Sequence, residues 1–233
     1  MIFLDWAGTD VTDPYYGDTI LILNCEQPDG STTFIDTSPI AHTMGFGGGI
    51  DITDQFAIFD GVDNYLGISA VSEWDFGTGD FTIEVVADIA SLPALWTLIT
   101  NRSPNASNPD EGFIIIGNSV GLIQAVVWGE PSGGAVVIAN LIAASGTATT
   151  GVHHICLQRS GTTFALSYDG VLQASNTSSA AVGFNSDFGL QIGNDTSLPG
   201  RFYNGGMRVR GTKGVARYTF PFTPSYDLWP DPN

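Results

Sequence analysis

Glu84 and Asp88 are the first pair in this chain that could do acid–base work. Cleaving a glycosidic bond takes two carboxyl groups facing one groove, roughly 5–5.5 Å apart for retention or about 6.5–9.5 Å for inversion. Both residues fall in Phe81-Thr82-Ile83-Glu84-Val85-Val86-Ala87-Asp88-Ile89. Phe81, Ile83, Val85, Ala87 and Ile89 recur with period two, which predicts a half-buried strand. Four residues along a strand span about 13–14 Å, too far for either mechanism. The expectation is therefore two solvated or ion-paired strand residues. The histidines do no better. His153 and His154 are adjacent, so on a strand they point to opposite faces, and His42 lies far away in sequence. No zinc-ligand spacing is present, and no nucleophile-elbow pattern accompanies a Ser-His-Asp set. One of the pair is expected to pack inward with its ring nitrogen satisfied by backbone. No catalytic residue is assigned, and the chain is not expected to be an enzyme.

Binding chemistry has more candidates. Calcium takes several oxygens from loop carboxylates and carbonyls. Asp60 and Asp63 share a Gly-containing loop, Asp80 follows Gly77 and Gly79, and Asp110 belongs to the Asn-rich loop 101–112. These four are the candidate ligands, with calcium as the one cofactor considered. The alternative is that such Asp and Asn residues shape turns through their own backbone hydrogen bonds. Carbohydrate binding needs an aromatic platform beside amide and carboxylate groups. Trp96, Trp128 and Tyr203, with Asn105 and Asn108, could supply one. Against that, Trp128 ends an apolar run and reads as core, and Trp96 reads as the cap of a strand entry.

These residues must be held by strands. Phe113-Ile114-Ile115-Ile116 and Leu122 to Trp128 flank a turn-rich joint and read as adjacent central strands. Ile155 to Arg159 and Phe164 to Tyr168 flank Ser160-Gly161-Thr162-Thr163 and read as a hairpin. Asp169-Gly170 is a two-residue turn signal, since both positions must tolerate φ > 0. No convincing amphipathic helix occurs. Short strands with Gly-rich turns point to an all-β antiparallel sandwich. The reading is an N-terminal arm at 1–18, one sandwich domain at 19–224 and a C-terminal arm at 225–233. The arms carry Trp6, Tyr15 and Trp229, which either pack back on their own domain or reach a neighbouring subunit.

Composition narrows the partners. The chain has 233 residues with a formal charge of −17, and no Lys or Arg precedes Arg102. So acidic a surface repels a nucleic-acid backbone, and nucleic acid is not expected as a partner. No apolar run is long enough to cross a membrane as a helix, and membrane insertion is not expected. Arg201, Arg208, Arg210, Lys213 and Arg217 form the one basic cluster. It is read either as internal pairing with the domain's own carboxylates or as a docking patch for an acidic neighbour. Cys25 and Cys156 sit in apolar runs and are read as buried free thiols, with a single disulfide between them as the alternative.

Five segments, in order, carry a family resemblance. They are Leu21-Ile22-Leu23-Asn24-Cys25 with Asp36-Thr37-Ser38 and Ala41-His42-Thr43; Phe59 to Leu66; Asp75 to Glu84; His153-His154-Ile155 with Arg159-Ser160-Gly161 and Tyr168 to Val171; and Gly211 to Pro224. Over roughly residues 20–224 the chain resembles the laminin-G-like/concanavalin A-like domains of bacteriophage structural proteins. The resemblance departs at Val152, where the family usually has Trp, and no Glu-x-Asp-x-Glu run like that of the fold's glucanases occurs. It implies a jelly-roll sandwich and a non-enzymatic virion protein assembled in a bacterial cytoplasm. Such a protein would be a capsid decoration or cement protein, or a small appendage, with major capsid or tail proteins or further copies of itself as partners. Trp6, Arg208, Arg210 and Trp229 are its candidate docking anchors. The alternative is a lectin-like host-recognition protein of a tail or head fibre that binds a surface glycan, with calcium assisting.

Overall fold

The computed structural model describes residues 13–102, 111–129, 136–184, 186–195 and 200–230. In chain order its strands are β1 (Thr19–Leu23), β2 (Gly45–Gly47), β3 (Asp51–Thr53), β4 (Phe56–Asp60), β5 (Tyr65–Ile68), β6 (Phe81–Ile89), β7 (Leu95–Thr100) and β8 (Gly112–Asn118). They continue with β9 (Ile123–Gly129), β10 (Val136–Ile142), β11 (Gly151–Ser160), β12 (Thr163–Tyr168), β13 (Val171–Thr177), β14 (Leu190–Ile192) and β15 (Asn204–Lys213). Two 3₁₀ turns, Tyr16–Asp18 and Ser72–Trp74, are the helical elements among the described residues.

The strands form two antiparallel sheets. One has eight strands in the order β13-β12-β11-β6-β15-β4-β3, with β1 on the end of β15 that β4 leaves free. The other has seven, in the order β10-β9-β8-β7-β14-β5-β2. The expected all-β jelly-roll sandwich is what the chain forms. Between the sheets lies one apolar core that includes Phe59, Trp74, Phe76, Phe81, Trp96, Phe113, Phe164 and Tyr203. Phe76 stacks on Phe81 with centroids 4.3 Å apart.

Several local expectations hold. Strands β8 and β9 are neighbours, and β11 and β12 are a hairpin closed at Ser160 and Thr163. Asp169 and Gly170 both have positive φ, 49° and 74°, in the tight turn from β12 to β13. Cys25 and Cys156 are buried free thiols, and burial pushes the Cys25 thiol up to about 12. One expectation is corrected. Strand β6 is buried on both faces, with Asp88 its one exposed residue. The alternation in its sequence marks which side chains enter the core, but a second layer covers the other face.

Candidate functional site

That second layer is the chain's own ends. Beyond β15 the segment 214–230 runs as an irregular strap across the outer face of the eight-stranded sheet. Thr82 Oγ1 donates to the Val215 carbonyl at 2.8 Å, Gln158 Nε2 donates to that of Tyr218 at 2.7 Å, and the Phe222 N–H donates to that of Gly170 at 3.0 Å. Asn24 closes the far end by bonding both the N–H and the carbonyl of Trp229. The Tyr218 and Phe222 rings stack at 3.8 Å, and Arg210 lies over the Trp229 ring at 5.0 Å.

Under the strap the register sets Cys156, Glu84 and Arg210 side by side on β11, β6 and β15. Glu84 accepts from Arg210 Nε at 2.7 Å and Nη2 at 2.9 Å, contacts His154 Nε2 at 3.1 Å and accepts from the Tyr218 hydroxyl. Asp13, from the other end of the chain, accepts from Arg210 at 3.2 Å and from Arg217 at 2.9 Å. Burial pushes the Glu84 carboxyl up, but the Arg210 charge and the bonds from His154 and Arg210 outweigh it and hold it well below the usual carboxylate range. An acid so held is a structural anion, with no exposed surface. The ion-paired reading of Glu84 holds, and Asp88 is exposed two pleats away. His154 is correspondingly a correction: its ring nitrogen meets a carboxylate, because the strap turns the outer face of β11 into an interior.

The same layer decides the docking candidates. Arg208, Arg210 and Trp229 are each no more than 6% exposed. Arg208 lies over Phe56 at 4.6 Å and Trp229 packs with Ile22 and Val86. These three anchors are spent within the chain: Arg208 also donates to the Tyr226 carbonyl, Arg210 is held by Glu84, and Trp229 closes the strap. Trp6 lies outside the described residues.

The candidate calcium ligands do not converge. Asp60 accepts from the N–H groups of Val62 and Asp63, shaping the β4–β5 turn. Asp80 accepts from the Gly161 N–H at 2.6 Å. Asp60 pairs with Asn204 at one end of β15, while Gly214 at the other end bonds the Asp80 carbonyl. About ten residues of strand put them roughly 30 Å apart. Asp110 lies outside the described residues, as do Asn105 and Asn108. No group of three metal-binding side chains occurs among the described residues.

The candidate sugar platform is corrected in two of its three rings. Trp96 and Tyr203 are fully buried with centroids 5.7 Å apart, because both point between the sheets. Trp128 is half-buried on the outer face of β9, with Arg102 over its ring at 5.7 Å. Arg102 in turn donates to Asp195 at 3.1 Å.

An opening lies elsewhere on the seven-stranded sheet. Strands β2, β5 and β14 place Gly45, Gly67 and Gln191 in one row. Leu66, Ile68, Leu190 and Ile192 are buried, so by alternation Tyr65, Gly67 and Gln191 face outward. Over this row lies a trough of about 430 Å³ bounded by Thr43, Phe46, Tyr65, Ser69, Gly189 and Gln191. Its floor is peptide, because Gly45 and Gly67 bring no side chain. One wall is the Tyr65 ring, laid against Gly47 so closely that a Cβ there would fall 2.2 Å from it. Phe46 is 50% exposed at the edge, 6.0 Å from Phe34. No charged residue bounds the trough among the described residues.

Nothing in the sequence reading assigned a ligand to these residues. The available signal was Gly67 inside the strand-like Tyr65-Leu66-Gly67-Ile68, since an interior strand glycine marks a place that another backbone or a ligand approaches closely.

A family model described as the concanavalin A-like lectin/glucanases superfamily matches residues 60–208. No curated protein matches the chain. Among solved structures, the receptor binding domain of botulinum neurotoxin D aligns at TM-score 0.62 and 13% identity, over 87% of this chain and 51% of that one. A binding domain of botulinum neurotoxin DC in complex with SialylT aligns at 0.58 and 11%, over 87% and 50%. A third is from work on botulinum neurotoxin type C, whose cell entry is dependent upon interaction with two ganglioside molecules; it aligns at 0.59 and 10%, over 87% and 49%. The chain spans about half the length of these solved structures, and at such identities the likeness is one of fold.

Proposed function

The chain belongs to the concanavalin A-like lectin/glucanase superfamily, and on that footing we propose that it is a lectin-like module that binds a carbohydrate without cleaving it. The observation that carries this reading is the trough over Gly45 and Gly67, walled by Tyr65. A sugar ring offers an apolar C–H face and a rim of hydroxyls. Tyr65 offers a ring face for the first, while the Ser69 and Thr43 hydroxyls offer partners for the second. Pockets for small ligands combine such apolar walls with a few placed polar groups. The binding domains that share the fold and are described with SialylT or gangliosides support the class of ligand.

The non-catalytic part of the reading rests on the carboxylates. Glu84 is sealed beneath the strap against Arg210, His154 and Tyr218, and Asp88 is about 13–14 Å along the strand. Titration calorimetry against a panel of oligosaccharides tests binding, and assay of reducing ends after prolonged incubation tests cleavage. Binding with no new reducing ends is expected; release of sugar would overturn the non-enzymatic part.

A second reading, attachment to a bacteriophage particle as a surface protein, is favoured by one surface. Strands β10 and β13, the edges of the two sheets, lie against each other. They expose Val136, Val137, Ile142, Val171 and Leu172, each 44–54% accessible. Exposed apolar clusters of this kind mark contact surfaces. The contact would be with a capsid or tail protein, or with another copy of the chain. Co-sedimentation with emptied capsids tests it, and a V137K/I142K variant that decorates capsids as well as the parent would remove this surface from the reading.

A further inference from the structure

The location of every cation in the molecule bears on which sugars the trough can take. All seven Lys and Arg residues fall within the described part of the chain, so each can be placed. Arg208, Arg210 and Arg217 are committed beneath the strap and the N-terminal segment. Arg159 is spent on the carbonyls of Gly77, Gly161 and Ala180. Lys213 donates to the Ser72 carbonyl, and Arg102 pairs with Asp195, beside which Arg201 also lies. None of the seven bounds the trough. The histidine nearest to it in sequence, His42, is turned inward, bonded to Asp36 at 2.7 Å and stacked on Trp74. An acid lies near the Tyr65 end. A Cβ on Gly48, next to the Gly47 that carries the Tyr65 ring, would lie 2.6 Å from Asp63 Oδ1.

We infer that this trough selects uncharged sugars and rejects acidic ones such as sialosides and uronates. The inference rests on the glycan-binding reading above and narrows it. A carboxylate in the trough would lose water and find neither a guanidinium nor an ammonium in return, and burying an unpaired charge is costly. It would also approach a chain of net charge −17, with Asp63 beside Gly48 at the Tyr65 end, and like charges repel. A neutral ring meets none of these penalties. Its hydroxyls bond to Ser69 and Thr43, and its flat face lies on Tyr65.

The test is a matched binding series on the full chain. The neutral probes are lactose, cellotetraose, chitotetraose and mannotetraose; the acidic probes are sialyllactose and tetragalacturonate. Each is titrated into the parent and into Gly67→Leu, Tyr65→Ala and Asp63→Asn. At Gly67 a Cβ would sit 3.5 Å from the Leu190 carbonyl, an ordinary contact, so the Leu side chain projects into the trough without disturbing the sheet. At least one neutral probe is expected to bind, and lactose to exceed sialyllactose by about tenfold or more. Gly67→Leu should abolish that binding with the melting temperature unchanged, and Tyr65→Ala, which cannot clash, should weaken it independently. Asp63→Asn should narrow the gap between lactose and sialyllactose. Binding to no probe overturns the glycan reading and this inference with it. Tighter binding of the acidic probes overturns the inference alone and leaves a glycan-binding module. Binding that survives both Gly67→Leu and Tyr65→Ala removes the trough as the site.

Discussion

Over β6, β11 and β15 the outer face of the eight-stranded sheet is shut and ionic, while that of the seven-stranded sheet, at β2, β5 and β14, is open and uncharged. On the first, a strap and an N-terminal segment bury Glu84 among Arg210, His154 and Tyr218, with Asp13 and Arg217 alongside. On the second, glycines leave the peptide bare beside one tyrosine ring. The difference teaches where an acidic chain uses its few cations. A buried carboxylate demands a partner, so most arginines are drawn inward to neutralise the chain's own acids. Recognition on the outside then falls to rings and hydroxyls.

The comparison can be tested from its strongest contrast downward. Glu84→Gln takes the two-pronged carboxylate from Arg210 and leaves Asp13, at 3.2 Å, as its remaining acid partner, which should cost about 3 kcal/mol. In a chain of this size that is roughly a 10 °C fall in melting temperature, with affinity at the trough unchanged. A variant that keeps its stability would show the covered face to be dispensable. Next, Trp229→Ala removes the ring that closes the strap against Ile22 and Val86. A loss of about 3 kcal/mol is expected, together with faster hydrogen exchange in 214–230, and exchange confined to other segments would break the picture of a single cover.

Acid should weaken the fold through its buried, partnered carboxylates. The folded Glu84 carboxyl is held below its usual value, as is Asp36, where burial is outweighed by the bond to His42 and by three backbone N–H groups. Their stabilisation is therefore fully present above the unfolded carboxylate value, about pH 4.3, and is lost as pH falls below it. Thermal melts between pH 3 and 7 should show this decline, with a shallower slope in Glu84→Gln; equal slopes would deny Glu84 its part. The smallest effect belongs to the open face. Tyr65→Ala should weaken sugar binding about tenfold, or ~1.4 kcal/mol. Stability should move by about 0.5 kcal/mol or less, and a large drop in melting temperature would recast Tyr65 as a packing residue.

Much of the sandwich was legible because its signals are local. The β11–β12 hairpin is written in two apolar runs around Ser160-Gly161, and the next turn in Asp169-Gly170, whose positive φ values few residue pairs accept. The site was less legible because faces are not local. Trp96 and Tyr203 look like platform residues in a sequence, but each points between the sheets, a choice made by register against β8 and by the turn into β15. Arg208 and Arg210 look like an exposed basic patch until residues more than a hundred positions away are brought against them. The trough is announced least of all, because its defining residues are glycines, and a missing side chain leaves a weak mark on any pattern.

The sequence by itself determined the class of fold, the antiparallel hairpins and the scarcity of cations. These follow from periodicity, turn chemistry and composition, which act over a few residues or over the whole chain. Only the tertiary structure decided that Glu84 is sealed, that the arginines are consumed internally and that Gly45, Gly67 and Gln191 share one row. Such outcomes depend on which strands become neighbours and what the chain's ends cover, and neither is encoded at any single position.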